Sequence, residues 1–116
     1  MDEAQGKCKT PRQAWLQLLY WLQPDSYDPV RAAACFDTSR LGKSKMEAPE
    51  LAAQLIQVLD ANGWYIQPDE LPTDPNYLDP GRRTATYEDP VVQGKGIVLY
   101  KRGKRWLFTP DTLAEI

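Results

Sequence analysis

Hydrophobic positions in the first half of the chain recur at helical spacing. Trp15, Leu18, Leu19 and Leu22 fall on one stripe, which Tyr20 and Trp21 widen. Thr10 is a good N-cap, Pro11 suits the first helical position and Pro24 ends the run, so the pattern predicts a helix over 11–22. Apolar almost all round, this helix should lie deep or be covered on two sides. Residues 24–28 read as a turn. Asp28-Pro29 repeats the cap-then-proline signal, and Val30, Ala32, Ala33, Ala34, Cys35 and Phe36 follow. They predict a second helix whose small residues allow close approach by a neighbour, closed by Asp37-Thr38-Ser39. Residues 40–45 read as polar and exposed. A third helix is expected over 47–61, with Leu51, Leu55, Val58 and Leu59 inward, Ala52 and Ile56 beside them, and Asn62-Gly63 as its stop.

After Gly63 the period changes. Trp64-Tyr65-Ile66 reads as a short strand. Residues 67–84 carry four prolines and four acidic side chains with little periodicity, which predicts a long loop with one helical turn near Asp69-Glu70-Leu71. A connection of this length inside a compact domain is usually functional or mobile. Strands are expected over 84–87, at Val91-Val92, over 97–101 and over 105–109, the last two forming a hairpin around Arg102-Gly103-Lys104. Ile97 and Leu99 share one face of the first hairpin strand and Trp106 and Phe108 one face of the second, the latter two expected to pack on the first helix. Thr109-Pro110-Asp111 opens a short final helix, and the chain ends inside it, so a continuation is expected.

This order gives the fold class α+β: three N-terminal helices packed on a small antiparallel sheet that ends in a β-hairpin and a short C-terminal helix. At 116 residues there is room for one domain, 10–116, behind a flexible arm, 1–9. A chain of this size buries roughly 65% of its unfolded surface, enough for a core without staples. Its most apolar stretch, Ala14 to Leu22, is about 14 Å long as a helix against a hydrocarbon core of ~30 Å. Cys8 lies in the polar arm and reads as free; Cys35, in the run AAAC, reads as buried and inert. In an oxidising compartment the two could pair.

Charge separates along the chain. Residues 1–79 hold 7 basic and 12 acidic side chains, residues 80–105 hold 7 basic and 2 acidic, and Asp111 and Glu115 complete a net charge of −2. Arg82, Arg83, Lys101, Arg102, Lys104 and Arg105 are the candidate interaction surface, although charges on a hairpin are more often its solvated faces. Trp15, Trp64, Trp106 and Phe108 are candidate pocket or core aromatics.

Histidine is absent. This removes the commonest general base, the Ser-His and Cys-His nucleophile pairs and the commonest zinc ligand, so no catalytic, cofactor-binding or metal residue is assigned. Gly94-Lys95-Gly96 reads as a turn rather than a phosphate loop. Asp69, Glu70, Asp74 and Asp79 crowd the long loop, but Asp74-Pro75-Asn76 lacks the glycine and glutamate of a calcium loop. A basic hairpin with Tyr100, Trp106 and Phe108 could stack single-stranded bases, yet the acidic balance of the chain argues against nucleic acid.

The run TPRQAWLQLLYWLQPDSYDPVRAAACFDTSRL, the run ELAAQLIQVLDANGWYIQPDELPTDP and the hairpin GIVLYKRGKRWLFTPDTLAEI together resemble the segment ahead of the membrane part in bacterial proteins of the small-conductance mechanosensitive channel family. The resemblance covers residues 10–116. Cys35-Phe36-Asp37 departs from the usual leucine-aspartate, and Gln67 replaces an expected aspartate. The resemblance implies a non-catalytic periplasmic domain tethered to the inner membrane, cut from a longer protein whose transmembrane helices follow Ile116. Its partners would be that channel region and neighbouring subunits. Three alternatives stay open: a cytoplasmic location, a ligand-binding domain with Trp64, Tyr65, Trp106 and Phe108 lining a pocket, and an enzyme using the loop carboxylates.

Overall fold

A computed structural model of the chain describes residues 8–40 and 47–115. Helix α1, Pro11–Tyr20, begins as its sequence dictates: Thr10 Oγ1 accepts from the Gln13 N–H at 3.1 Å. Pro11, Ala14, Trp15 and Leu18 are buried at the expected spacing. The covering is incomplete, because Tyr20 is 51% exposed. The helix also stops two residues early: the Gln23 N–H and the Ser26 hydroxyl both donate to the Tyr20 carbonyl, closing a turn.

Helix α2 is a single turn, Pro29–Ala32, capped by Asp28, and it tightens into a 3-10 turn over Ala33–Cys35. The tightening releases Phe36 into an extended conformation, where it forms a parallel bridge with Phe108. Helix α3, Ala48–Asn62, buries Leu51, Ala52, Leu55 and Leu59. It ends in a Schellman motif: Gly63 has φ +68°, its N–H donates to the Asp60 carbonyl, and the Trp64 N–H donates to the Leu59 carbonyl. Arg40 is exposed; the rest of the expected polar stretch, residues 41–45, lies outside the described residues, as do residues 1–7 of the expected arm.

The sheet has three antiparallel strands in the order β1 (Thr86–Tyr87), β2 (Leu99–Arg102) and β3 (Arg105–Phe108). The register pairs Arg102 with Arg105 across a two-residue turn, where Gly103 at φ +66° occupies the first central position of a II′-type geometry. Helix α4, Pro110–Glu115, follows at once, with Thr109 Oγ1 accepting from the Thr112 N–H. The mixed α+β architecture is therefore as read from the sequence.

Two expected strands are absent. Trp64–Ile66 is irregular, although Ile66 is buried. The Trp64 N–H is engaged by the Leu59 carbonyl in the helix cap, and a 3-10 turn begins at Pro68, so little chain is left for a strand. Pro90–Val92 is a 3-10 turn. Here the Asp89-Pro90 pair acts as cap and first helical residue, with Asp89 Oδ1 accepting from the Val91 N–H at 2.9 Å, and overrides the β preference of two valines.

The core joins the two halves. Trp15 meets Phe108 edge-on at 5.0 Å between ring centroids, and Phe36 meets the same ring at 5.4 Å. Trp106 and Phe108 are fully buried on one sheet face, and Leu107 is buried on the other, so β3 is covered on both sides. The 67–84 segment, expected to be loose, is fastened. Arg12 donates from its backbone N–H to the Pro72 carbonyl and from its guanidinium to the carbonyls of Leu71 and Asp69. The Trp106 indole N–H donates to the Pro75 carbonyl at 3.0 Å, and Tyr77 stacks edge-on against Tyr87.

Candidate functional site

A dense polar arrangement among the described residues lies beside the outer edge of β3. Cys8 and Cys35 form a disulfide that closes a loop with a sequence separation of 27. Cys8 is thus neither free nor part of a loose arm: it is 2% exposed, and its carbonyl accepts from the Trp106 N–H. Two residues past Cys35, the Asp37 N–H donates to the Phe108 carbonyl at 3.0 Å. The Asp37 carboxylate is buried. It accepts from the Tyr100 hydroxyl, from the Ser39 N–H at 3.0 Å, and from Arg102 Nη1, which lies 3.1 Å from both carboxylate oxygens.

Burial alone would raise the Asp37 pKa. The Ser39 and Tyr100 hydrogen bonds and the Arg102 charge more than offset it, and hold the carboxyl at about 2, below its ordinary 3.8. The same bond to Asp37, with burial second, raises the Tyr100 phenol. This cluster was missed in the sequence, where Asp37-Thr38-Ser39 reads only as a helix closure. The signal was present in that tripeptide, since Asp followed two residues later by Ser is an Asx-turn pattern.

The six candidate basic residues are not gathered on one surface. Alternation along β2 sends Arg102 toward Asp37, while Lys101 donates from Nζ to Asn76 Oδ1 at 3.1 Å. Arg105, opposite Arg102, donates to the Ala34 carbonyl at 3.0 Å. Lys104 stands exposed on the turn. Arg82 and Arg83 sit on the approach to β1, in a turn whose backbone N–H groups donate to Asp79; Arg83 adopts φ +57°. Three of the six cations therefore stitch the hairpin to its neighbours.

The candidate aromatics also divide. Trp15, Trp106 and Phe108 belong to the core. Trp64 is half-buried and lines a groove of about 440 Å³ between the C-terminal ends of α1 and α3 and the 64–68 segment. Leu16, Leu19, Tyr20, Ile56, Leu59 and Tyr65 contribute to its walls, with Asp60 and Gln23 as polar members. Trp64 carries Lys95 Nζ 5.4 Å from its ring centroid. Tyr65 is 64% exposed. The pocket expected from four aromatics thus exists as a groove with two of them, because period-2 alternation buries Phe108 against Trp15 of α1 and Trp106 under Pro75 and Tyr77.

Two of the four loop carboxylates have local duties. Asp74 Oδ1 accepts from the Asn76 N–H at 2.8 Å, and Asp79 Oδ1 from the N–H groups of Gly81 and Arg82 at 2.8 and 2.9 Å. Asp89, also buried, accepts from the Tyr87 hydroxyl at 2.8 Å. Burial first, and that bond second, push the Tyr87 phenol far above its ordinary value. Burial likewise raises Tyr77, with the Asp79 charge adding to it. Among the described residues no helix is long and apolar enough to cross a membrane. Comparison with protein-family models, with curated proteins and with solved structures finds no match to this chain.

Proposed function

We propose that this chain is a non-catalytic extramembrane domain of a mechanosensitive-type ion channel protein, working as a structural or regulatory module in the periplasm. The observation that carries the reading is the buried Cys8–Cys35 disulfide, a bond that persists in oxidising compartments and is rare where glutathione and thioredoxin keep thiols reduced. The resemblance of residues 10–116 to the segment ahead of the channel's membrane part supplies the assignment to that class of protein. The buried carboxylates support a scaffold role. Asp37 and Asp89 are both held by internal donors, which fixes the segments that carry them. Fractionation of the native gene product tests the proposal. Sedimentation with inner-membrane vesicles that resists an alkaline wash agrees with it; recovery in the soluble cytoplasmic fraction contradicts it.

A second reading rests on the groove. Its apolar walls, three aromatics and single carboxylate fit a small apolar ligand with a cationic group. A thermal-shift screen of such compounds tests it: a rise in Tm that Trp64→Ala abolishes supports the reading, and flat curves remove it.

A further inference from the structure

Helices α1 and α3 both end at the groove. Leu19 and Tyr20 close α1, Leu59 and Asp60 belong to the last turn of α3, and all four line the walls. The C-terminus of a helix carries a negative partial charge of roughly half an elementary charge. A basic side chain in the last turn would offset it, and neither helix has one. Asp60 adds an exposed carboxylate. Among the described residues no lysine or arginine lines the groove.

The aromatic residues favour the same sign of charge. Tyr20, Trp64 and Tyr65 bring three rings to these walls, and a ring face attracts a cation. Trp64 displays that attraction within the chain: Lys95 Nζ lies 5.4 Å from its ring centroid, although Lys95 itself is not part of the lining.

We propose that the groove binds a soluble quaternary ammonium ligand with one short alkyl chain. Its trimethylammonium head lies against Asp60 and the aromatic rings, and its chain lies along Leu16 and Ile56. This assignment rests on the ligand-binding reading of the groove and adds the head group to it.

The walls select among cations. A primary ammonium brings three N–H donors, and Asp60 is the one carboxylate in the lining, so a dehydrated –NH3+ head would leave donors unmet. A trimethylammonium head has no donor to satisfy and is held by the rings and the negative field. A phosphocholine lipid or a betaine carries an anion near its head. That anion would meet two helix C-termini with no lining cation to receive it. The volume of about 440 Å³ lies in the lower part of the range for ligand sites, which suits a head and one chain.

Titration calorimetry on the full chain tests the assignment with octyltrimethylammonium below its micellar concentration, octylammonium and octanol. Octyltrimethylammonium is expected to bind one to one, at least about tenfold more tightly than octanol. Rising salt weakens its binding and leaves that of octanol unchanged. Asp60→Asn and Tyr65→Ala each weaken it by about threefold or more, with unchanged melting because both side chains are exposed. Equal affinity for octanol, or an Asp60→Asn variant that binds the cation as the parent does, overturns the cationic assignment and leaves the apolar-ligand reading standing. Octylammonium binding as tightly as octyltrimethylammonium overturns the quaternary head. Capture by phosphatidylcholine vesicles in place of the free cation overturns the soluble source. Binding of many molecules per chain, or of none of the three probes, overturns both the assignment and the reading on which it rests.

Discussion

Around the outer edge of β3, a disulfide, an ion pair between buried Asp37 and the largely exposed Arg102, and backbone hydrogen bonds converge within a few residues, and no large apolar side chain there is exposed. In the groove between the ends of α1 and α3, the walls are Leu16, Leu19, Ile56, Trp64 and Tyr65, with Tyr20 and Tyr65 more than half exposed. The first region fixes the hairpin to the helices. The second leaves apolar surface available at the place where two helices end. Rigidity is thus concentrated in one region and exposed apolar surface in another.

Substitutions in the two regions should therefore differ in size and kind. Trp106→Ala removes a fully buried indole together with its bond to Pro75, and should lower unfolding free energy by about 3–5 kcal/mol in denaturant titration. Cys8→Ser/Cys35→Ser opens a loop with a sequence separation of 27 and should cost about 3 kcal/mol, read from the same titration against the oxidised chain. Acid should act through Asp37. Its folded pKa of about 2 lies below the ordinary 3.8, so its contribution is fully present above pH ~4 and is lost as pH falls toward 2. The loss amounts to about 2 kcal/mol at ~1.4 kcal/mol per pKa unit, and Asp37→Asn should flatten that part of the stability–pH curve. In the groove, Tyr65→Ala should change stability by no more than about 0.5 kcal/mol, because the side chain is largely exposed. A loss comparable to that of the edge variants would erase the contrast between the regions.

Several helix boundaries were legible because they carry a local signal. Thr10-Pro11, Asp28-Pro29 and Asn62-Gly63 all act in the structure as their chemistry requires. The hairpin was legible for the same reason, Gly103 being placed where a positive φ is needed. What stayed hidden depends on long-range contacts. The 67–84 segment reads as loose because its anchors, Arg12 and Trp106, lie outside it. Cys8 reads as free for want of any local cue to the turn that brings Cys35 within a 5.7 Å Cα separation. Of the candidate interaction residues, sequence alone could not tell that β2 alternation sends Lys101 and Arg102 to different neighbours.

The state of the two cysteines in the native cell bears most directly on the whole account. Cells are quenched in acid, alkylated under denaturing conditions without reductant, and the intact protein is weighed. The account predicts no adduct until a reductant is added, and two adducts afterwards. Two adducts without reductant would contradict the extracytoplasmic assignment.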